Sequence, residues 1–168
     1  MVTKEDYGEW TPTQLVDPRE ATVEQLIHGM QMIVAAEGPV MASRVFHICA
    51  KAGGLGRIHD ATRKRFLLAL KTALEQRVFV ADKEASNDPA TLILRLPDQK
   101  AVRVRTLGSR TLHEVPAAEV AEVMLEIRAQ NDLISKDELF RGVLEEYGLR
   151  RLTEATTARL DYILATWF

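Results

Sequence analysis

Cysteine is almost absent from this 168-residue chain, with Cys49 standing alone. A single thiol builds no disulfide framework within the chain and no metal site by itself. It falls in an apolar run from Phe46 to Ala50, where a small buried hydrophobe is the expected role. Long apolar runs are missing too. None stands at the N-terminus, so neither a signal peptide nor a membrane-spanning helix is expected, and a cytoplasmic address without membrane contact follows. Catalytic signatures are also lacking: there is no phosphate loop, nucleophile elbow or dinucleotide fingerprint. Gly53-Gly54-Leu55-Gly56 is glycine-rich but follows a helical pattern instead of a strand, which makes it a turn between helices. His28, His47, His59 and His113 are scattered, with no metal-ligand spacing to Cys49 or to a carboxylate. His28 and His47 read as partly buried residues at the edge of a core. The adjacent Asp137 and Glu138 are best explained by helix capping. The expectation is a non-enzymatic protein with no catalytic residue, no metal and no cofactor.

What is present is ordinary globular material. Apolar residues make up 46% and charged residues 27%, values that support a packed core, and the length suits one domain or two small ones. The net charge of −2 hides an asymmetry. Residues 1–24 carry roughly −4, residues 25–113 roughly +7 and residues 114–168 roughly −5 by formal count. A basic middle is followed by an acidic C-terminal part.

Residues 1–21 hold Tyr7, Trp10, Pro12 and Pro18 without helical or strand period. They read as one extended arm laying its aromatics on the folded body. Thr22 and Gln25 form a capping-box pattern, followed by Leu26, Ile27, Met30, Ile33 and Val34 at helical spacing. Gly38-Pro39 stops that helix, and Val40-Met41 is a short extended link. Val45, Phe46, Ile48 and Cys49 mark a second helix. A third runs from about Asp60 to Gln76 with Phe66, Leu67, Leu70 and Leu74 inward. Val78-Phe79-Val80 and Thr91-Leu92-Ile93-Leu94 are β-type runs joined by a polar stretch, a hairpin wing at about 77–96. Ala101–Val104 suggests a third strand or an extended crossover. The second helical set starts at Pro116, a favourable first helical position. Ser135 and Thr153 cap its next two helices. Trp167 and Phe168 read first as core anchors completing the last turn, and otherwise as an interface patch.

Sliding the chain by 94 positions aligns the two sets without a gap. Met30 meets Met124, Ile33 meets Ile127 and Phe46 meets Phe140. Gly54-Leu55 meets Gly148-Leu149, Arg57 meets Arg151, and Arg65 meets Arg159. Amphipathic helices match at apolar positions alone, so the glycine and arginines carry the specificity, and duplication of one three-helix unit is expected. The fold class is therefore mainly α with a small β-hairpin wing, in tandem winged-helix or helix-turn-helix units. The boundaries are an arm over 1–21, a winged unit over 22–97, a crossover linker over 98–115 and a wingless three-helix unit over 116–168.

Glu37, Gly38 and Pro39, then Arg44, Gly54 and Arg57, give the chain a resemblance. In that order they resemble a winged-helix-like domain of unknown function found near the C-terminus of large bacterial proteins that combine a helicase with a nuclease. The likeness covers about residues 23–80, and 116–164 more faintly, as a second tandem copy. It implies a winged-helix-like fold, a bacterial source and an accessory place in DNA processing or defence. It implies no catalytic residues, and no helicase or nuclease text appears in this chain.

A helix-turn-helix reader inserts the N-terminal half of its third helix into the major groove. Here that half offers Arg57, His59, Arg63 and Lys64, with Lys71 further along. Arg95, Arg103 and Arg105, with Arg110, extend the cationic set along the wing and crossover. Lysine and arginine neutralise phosphates, and arginine also pairs with guanine edges. The expected partner of the first unit is nucleic acid, with double-stranded DNA foremost. The competing expectation is a protein-interaction or adaptor module. In that reading the acidic second unit, whose Arg150, Arg151 and Arg159 stand in a negative background, docks a basic partner or another copy of the chain.

Overall fold

The helix that opens the fold starts where Thr22 caps it. α1 (Val23–Glu37) follows a capping box in which the Thr22 hydroxyl accepts from the Gln25 amide at 3.1 Å and the Gln25 side chain accepts from the Thr22 amide at 2.9 Å. The computed structural model describes residues 2–168. It is mainly helical, with a small three-stranded antiparallel sheet, and it divides into two units. The N-terminal unit is Gly8–Ala101; the C-terminal unit is Val102–Phe168 together with residues 2–7.

In the N-terminal unit α1 is followed by β1 (Val40–Met41), α2 (Ala42–Ala52), α3 (Asp60–Glu75), β2 (Val80–Asp82) and β3 (Ile93–Arg95). Met30, Ile33, Val34, Val45, Phe46, Phe66 and Leu70 are buried together. The Phe46 and Phe66 rings stack with centroids 5.0 Å apart. Each such side chain stabilises the fold by about 1.5–3 kcal/mol through its removal from water. The helical faces predicted from periodicity are the faces that pack.

The sheet differs from the expected hairpin. β3 lies between β1 and β2, with Val40 opposite Leu94 and Ala81 opposite Leu94 from the other side. Val40-Met41 is therefore a strand and not a bare link; two residues are too few to show alternation. Phe79, expected within a strand, is buried in the core ahead of β2. The paired segment is Val80–Asp82, displaced toward the C-terminus because the most apolar residues are spent on packing. Arg77, with φ 59°, turns the chain between α3 and β2.

The expected single arm divides. Residues 8–21 belong to the N-terminal unit, where the Leu15 amide donates to the Ala52 carbonyl at 3.0 Å and the Trp10 amide to Glu37 Oε2 at 3.0 Å. Residues 2–7 belong to the C-terminal unit. Val2 is buried there, and the Glu5 amide donates to the Val104 carbonyl at 2.9 Å while Thr106 donates to the Glu5 carbonyl at 2.8 Å. The stretch from Ala101 to Val104 forms no strand; among the described residues Arg105 makes only an isolated parallel bridge with Glu5. The segment expected as a linker over 98–115 is thus largely part of the C-terminal unit.

That unit contains α4 (Ala117–Gln130), α5 (Lys136–Glu146) and α6 (Glu154–Trp167). Pro116 is the cap of α4, one position before its first helical residue. Ser135 accepts from the Glu138 amide and Thr153 from the Thr156 amide, as the sequence predicts. Val120, Met124, Phe140, Val143, Leu160 and Ile163 form its core. Val23, Ala42 and Asp60 open the first three helices; Ala117, Lys136 and Glu154 open the second three, each 94 positions on. The turns correspond as well. Gly54 has φ 90° and Gly148 φ 71°, a left-handed backbone that costs other residues about 1–2 kcal/mol. After them Leu55 donates to the Ala50 carbonyl at 2.9 Å and Leu149 to that of Leu144 at 2.8 Å. Trp167 and Phe168 are 42% and 44% exposed, so they are not core anchors. The Arg128 guanidinium lies 5.0 Å from the centre of the Phe168 ring.

Candidate nucleic-acid interface

α3 presents two faces. Phe66, Ala69, Leu70 and Ala73 are buried, and Lys64, Leu68 and Lys71 are exposed. The latter follow the four-then-three spacing that places side chains on one helical stripe. Asp60 and Glu75 stand at the two ends of the same stripe and are also exposed, which confines its positive field to the middle turns. Ahead of the helix, Arg57 and His59 are exposed. His59 occupies the cap position of α3 without a side-chain capping bond.

The other expected contacts have different neighbours. Arg63 Nη2 grips both oxygens of Asp88, at 3.0 and 3.1 Å. This pair is half-exposed and neutralises the charge that was to face DNA. Arg95 Nη1 donates to the Gln99 carbonyl at 3.1 Å, and its Nε lies 3.8 Å from Asp82 Oδ2. Arg103 belongs to the C-terminal unit, where its Nε donates to Glu5 Oε2 at 3.2 Å.

Arg105 requires a correction. It is 1% exposed, so it presents no surface to a ligand. Its Nη2 lies 3.0 Å from Glu119 Oε1, while Arg110 Nη2 lies 2.9 Å from Glu119 Oε2. The Tyr7 ring covers both guanidinium groups, with centroid distances of 4.9 and 4.2 Å. Burial holds the Arg105 guanidinium below its ordinary range, against the pull of Glu119. Desolvating these charges is offset by the carboxylate that serves both of them and by the Leu107 and Thr106 carbonyls, which accept from Arg110 at 3.0 and 2.9 Å. Arg105 and Arg110 are structural members of the C-terminal unit.

Arg65, adjacent to Lys64 in sequence, is likewise internal. Its Nε donates to the Pro18 carbonyl at 2.8 Å and its Nη2 to the Ala21 carbonyl. Glu37 and Arg44, residues of the family-like motif, form a buried pair with Nε 2.8 Å from Oε1. At Gly38 a Cβ would fall 2.7 Å from the Val34 backbone carbonyl oxygen, so glycine is demanded by close packing. Glu37, Gly38 and Arg44 of the motif thus build the scaffold, while its Arg57 is exposed.

His28 and His47 are exposed, not partly buried as expected. Lys51, at the end of α2, is an exposed cation that sequence reasoning passed over. Its helix reads as a core helix, and only the fold brings its last turn beside Arg57. Cys49 is buried, and its thiol is pushed up to about 12 by that burial.

Among the described residues no group of three or more His, Cys, Asp or Glu is placed to hold a metal ion, and no helix is long and apolar enough to cross a membrane. Compared with known proteins, the chain matches no family model, no curated sequence and no solved structure.

Proposed function

We propose that the N-terminal unit is a winged helix that binds double-stranded DNA, without catalysing a reaction on it, through α3 and the turn before it. One observation carries this reading. Arg57, His59, Lys64 and Lys71 are exposed and have no acidic partner among the described residues, whereas Arg63, Arg95 and Arg103 are each paired with a carboxylate. The order of elements, with β1 between α1 and α2, β2 and β3 after α3, and β3 paired between β1 and β2, supports the winged-helix reading. The matching turns and helix starts of the C-terminal unit support a duplicated origin for the two. The test is fluorescence anisotropy with mixed-sequence duplex and single-stranded DNA at low and physiological salt. Duplex binding should weaken steeply with salt, by about 0.9 in log–log slope for each phosphate contacted. Absence of duplex binding at low salt overturns the reading.

A second reading is favoured by the C-terminal unit. Leu125, Trp167 and Phe168 are all 42% or more exposed, and Leu125 and Phe168 line one open hollow with Arg128 and Ala129. Exposed large apolar groups gathered in one place mark contact surfaces. In this reading the chain is an adaptor of a bacterial DNA-processing or defence system. Light scattering of wild type and Phe168→Ser across a concentration series tests this surface: association that the variant loses supports it, and a monomer in both overturns self-association through it.

A further inference from the structure

Where α2 ends and the turn toward α3 begins, an open cavity of about 330 Å³ is lined by His47, Lys51, Leu55, Gly56, Arg57 and Ile58. His47 and Lys51 are one turn apart on α2 and share a face; Arg57 enters from the turn. All three are exposed. None is paired with a carboxylate among the described residues, and no carboxylate lines the cavity. The backbone adds to this character. Among the described residues, the amides of Gly56, Arg57 and Ile58 donate to no protein acceptor. The carbonyls at the end of α2, which would repel an anion, are already engaged. Gly54 donates to the Lys51 carbonyl at 3.0 Å and Leu55 to that of Ala50 at 2.9 Å.

A hollow with lysine, arginine, imidazole and spare amide donors, and with its nearby acceptors occupied, has the chemistry of a phosphate site. We infer that this cavity binds a phosphate group, supplied by the nucleic-acid backbone. The inference rests on the DNA reading above and deepens it: contacts to phosphate fix register, while groove contacts read bases. The C-terminal unit lacks an equivalent site. Ninety-four positions on, His47, Lys51 and Arg57 are replaced by Arg141, Glu145 and Arg151, and Glu145 would repel the anion.

The test uses the full chain in two arms. In the first, the 15N-labelled protein is titrated with inorganic phosphate, with sodium chloride at matched ionic strength as control. In the second, duplex DNA binding is followed by anisotropy. Both arms compare wild type, Lys51→Ala with Arg57→Ala, and Lys100→Ala as an exposed control. Phosphate should give saturable amide shifts over Leu55–Ile58 that the double variant loses. Duplex affinity should fall about tenfold in the double variant, with a salt slope shallower by about 2, and stay unchanged in Lys100→Ala. No saturable shift, with duplex binding indifferent to the double variant, overturns the phosphate site and removes Arg57 from the DNA interface, leaving the DNA reading to the Lys64 and Lys71 stripe of α3. Saturable phosphate shifts without duplex binding support the site and overturn the DNA reading instead.

Discussion

The Arg65 guanidinium donates to the Ala21 carbonyl, tying α3 to the residue before the cap of α1. Ninety-four positions on, Arg159 of α6 donates to the Val115 carbonyl at 2.9 Å, just ahead of α4. Both bonds span 44 residues. In each unit an arginine on the third helix closes the loop to the start of the first, so the arginine at the corresponding position of the two units is an internal clasp.

Removing either clasp should destabilise its own unit. Arg65→Ala and Arg159→Ala should each cost about 1.5–3 kcal/mol, the range for hydrogen bonds made by a charged group. Arg65→Lys should recover little, because one ammonium does not reach the Pro18 and Ala21 carbonyls with a fork. Urea unfolding is the measurement, and an Arg65→Ala midpoint equal to wild type would discard the clasp.

Glu119 holds two buried guanidinium groups. Glu119→Ala leaves both charges uncompensated and should cost about 3–5 kcal/mol. Trp10 lies in one unit and Trp167 in the other. In a Trp10→Phe background, Trp167 fluorescence therefore reports the C-terminal unit. Its unfolding midpoint should drop sharply, while Arg103→Ala, an exposed pair with Glu5, should shift it by less than about 1 kcal/mol.

The stripe on α3 should dominate duplex affinity. Lys64→Glu with Lys71→Glu should weaken binding by roughly a hundredfold at 0.1 M salt, since two cations are lost and two anions gained. The fold should survive, because both side chains are exposed. Arg63→Ala should matter much less, its charge being spent on Asp88. An Arg63→Ala loss as large as that of the double variant would move the interface away from the stripe.

Cys49 sets an alkaline limit. Its thiol is raised from an ordinary 9.0 to about 12 in the folded chain by burial. The folded state therefore keeps its proton where the unfolded state loses it. The contribution is fully present below pH 9.0 and is lost as pH rises toward 12. The slope is at most about 1.4 kcal/mol per pH unit. Burial raises the Tyr147 hydroxyl in the same sense. Urea titrations from pH 8 to 11 should show a shallower decline in Cys49→Ala than in wild type. Identical slopes would show that the thiol is not the titrating group.

Helices were legible because their signals are local. Thr22, Ser135 and Thr153 announce helix starts through bonds to amides three residues on, and the apolar faces follow from a 3.6-residue period. The strands were less so. A two-residue strand such as Val40-Met41 has no period, and its existence depends on β3 arriving from more than fifty residues away. The candidate site was legible in part. Lys64 and Lys71 fall off the apolar stripe and are exposed, as the pattern predicts. Arg105 was not distinguishable from them, because a basic residue in a polar stretch carries no mark of its future burial.

The sequence by itself determined the six helices, the Thr22, Ser135 and Thr153 caps and the buried helical faces, since each depends on residues close along the chain, and with them the 94-residue offset between corresponding helix starts. Only the tertiary structure decided which cations remain unpaired. Arg63 meets Asp88 across 25 residues, Arg65 meets Ala21 across 44, and Arg105 and Arg110 share Glu119 inside a core. Charge is a property of composition, but its availability to a partner is set by what the fold brings within reach of it.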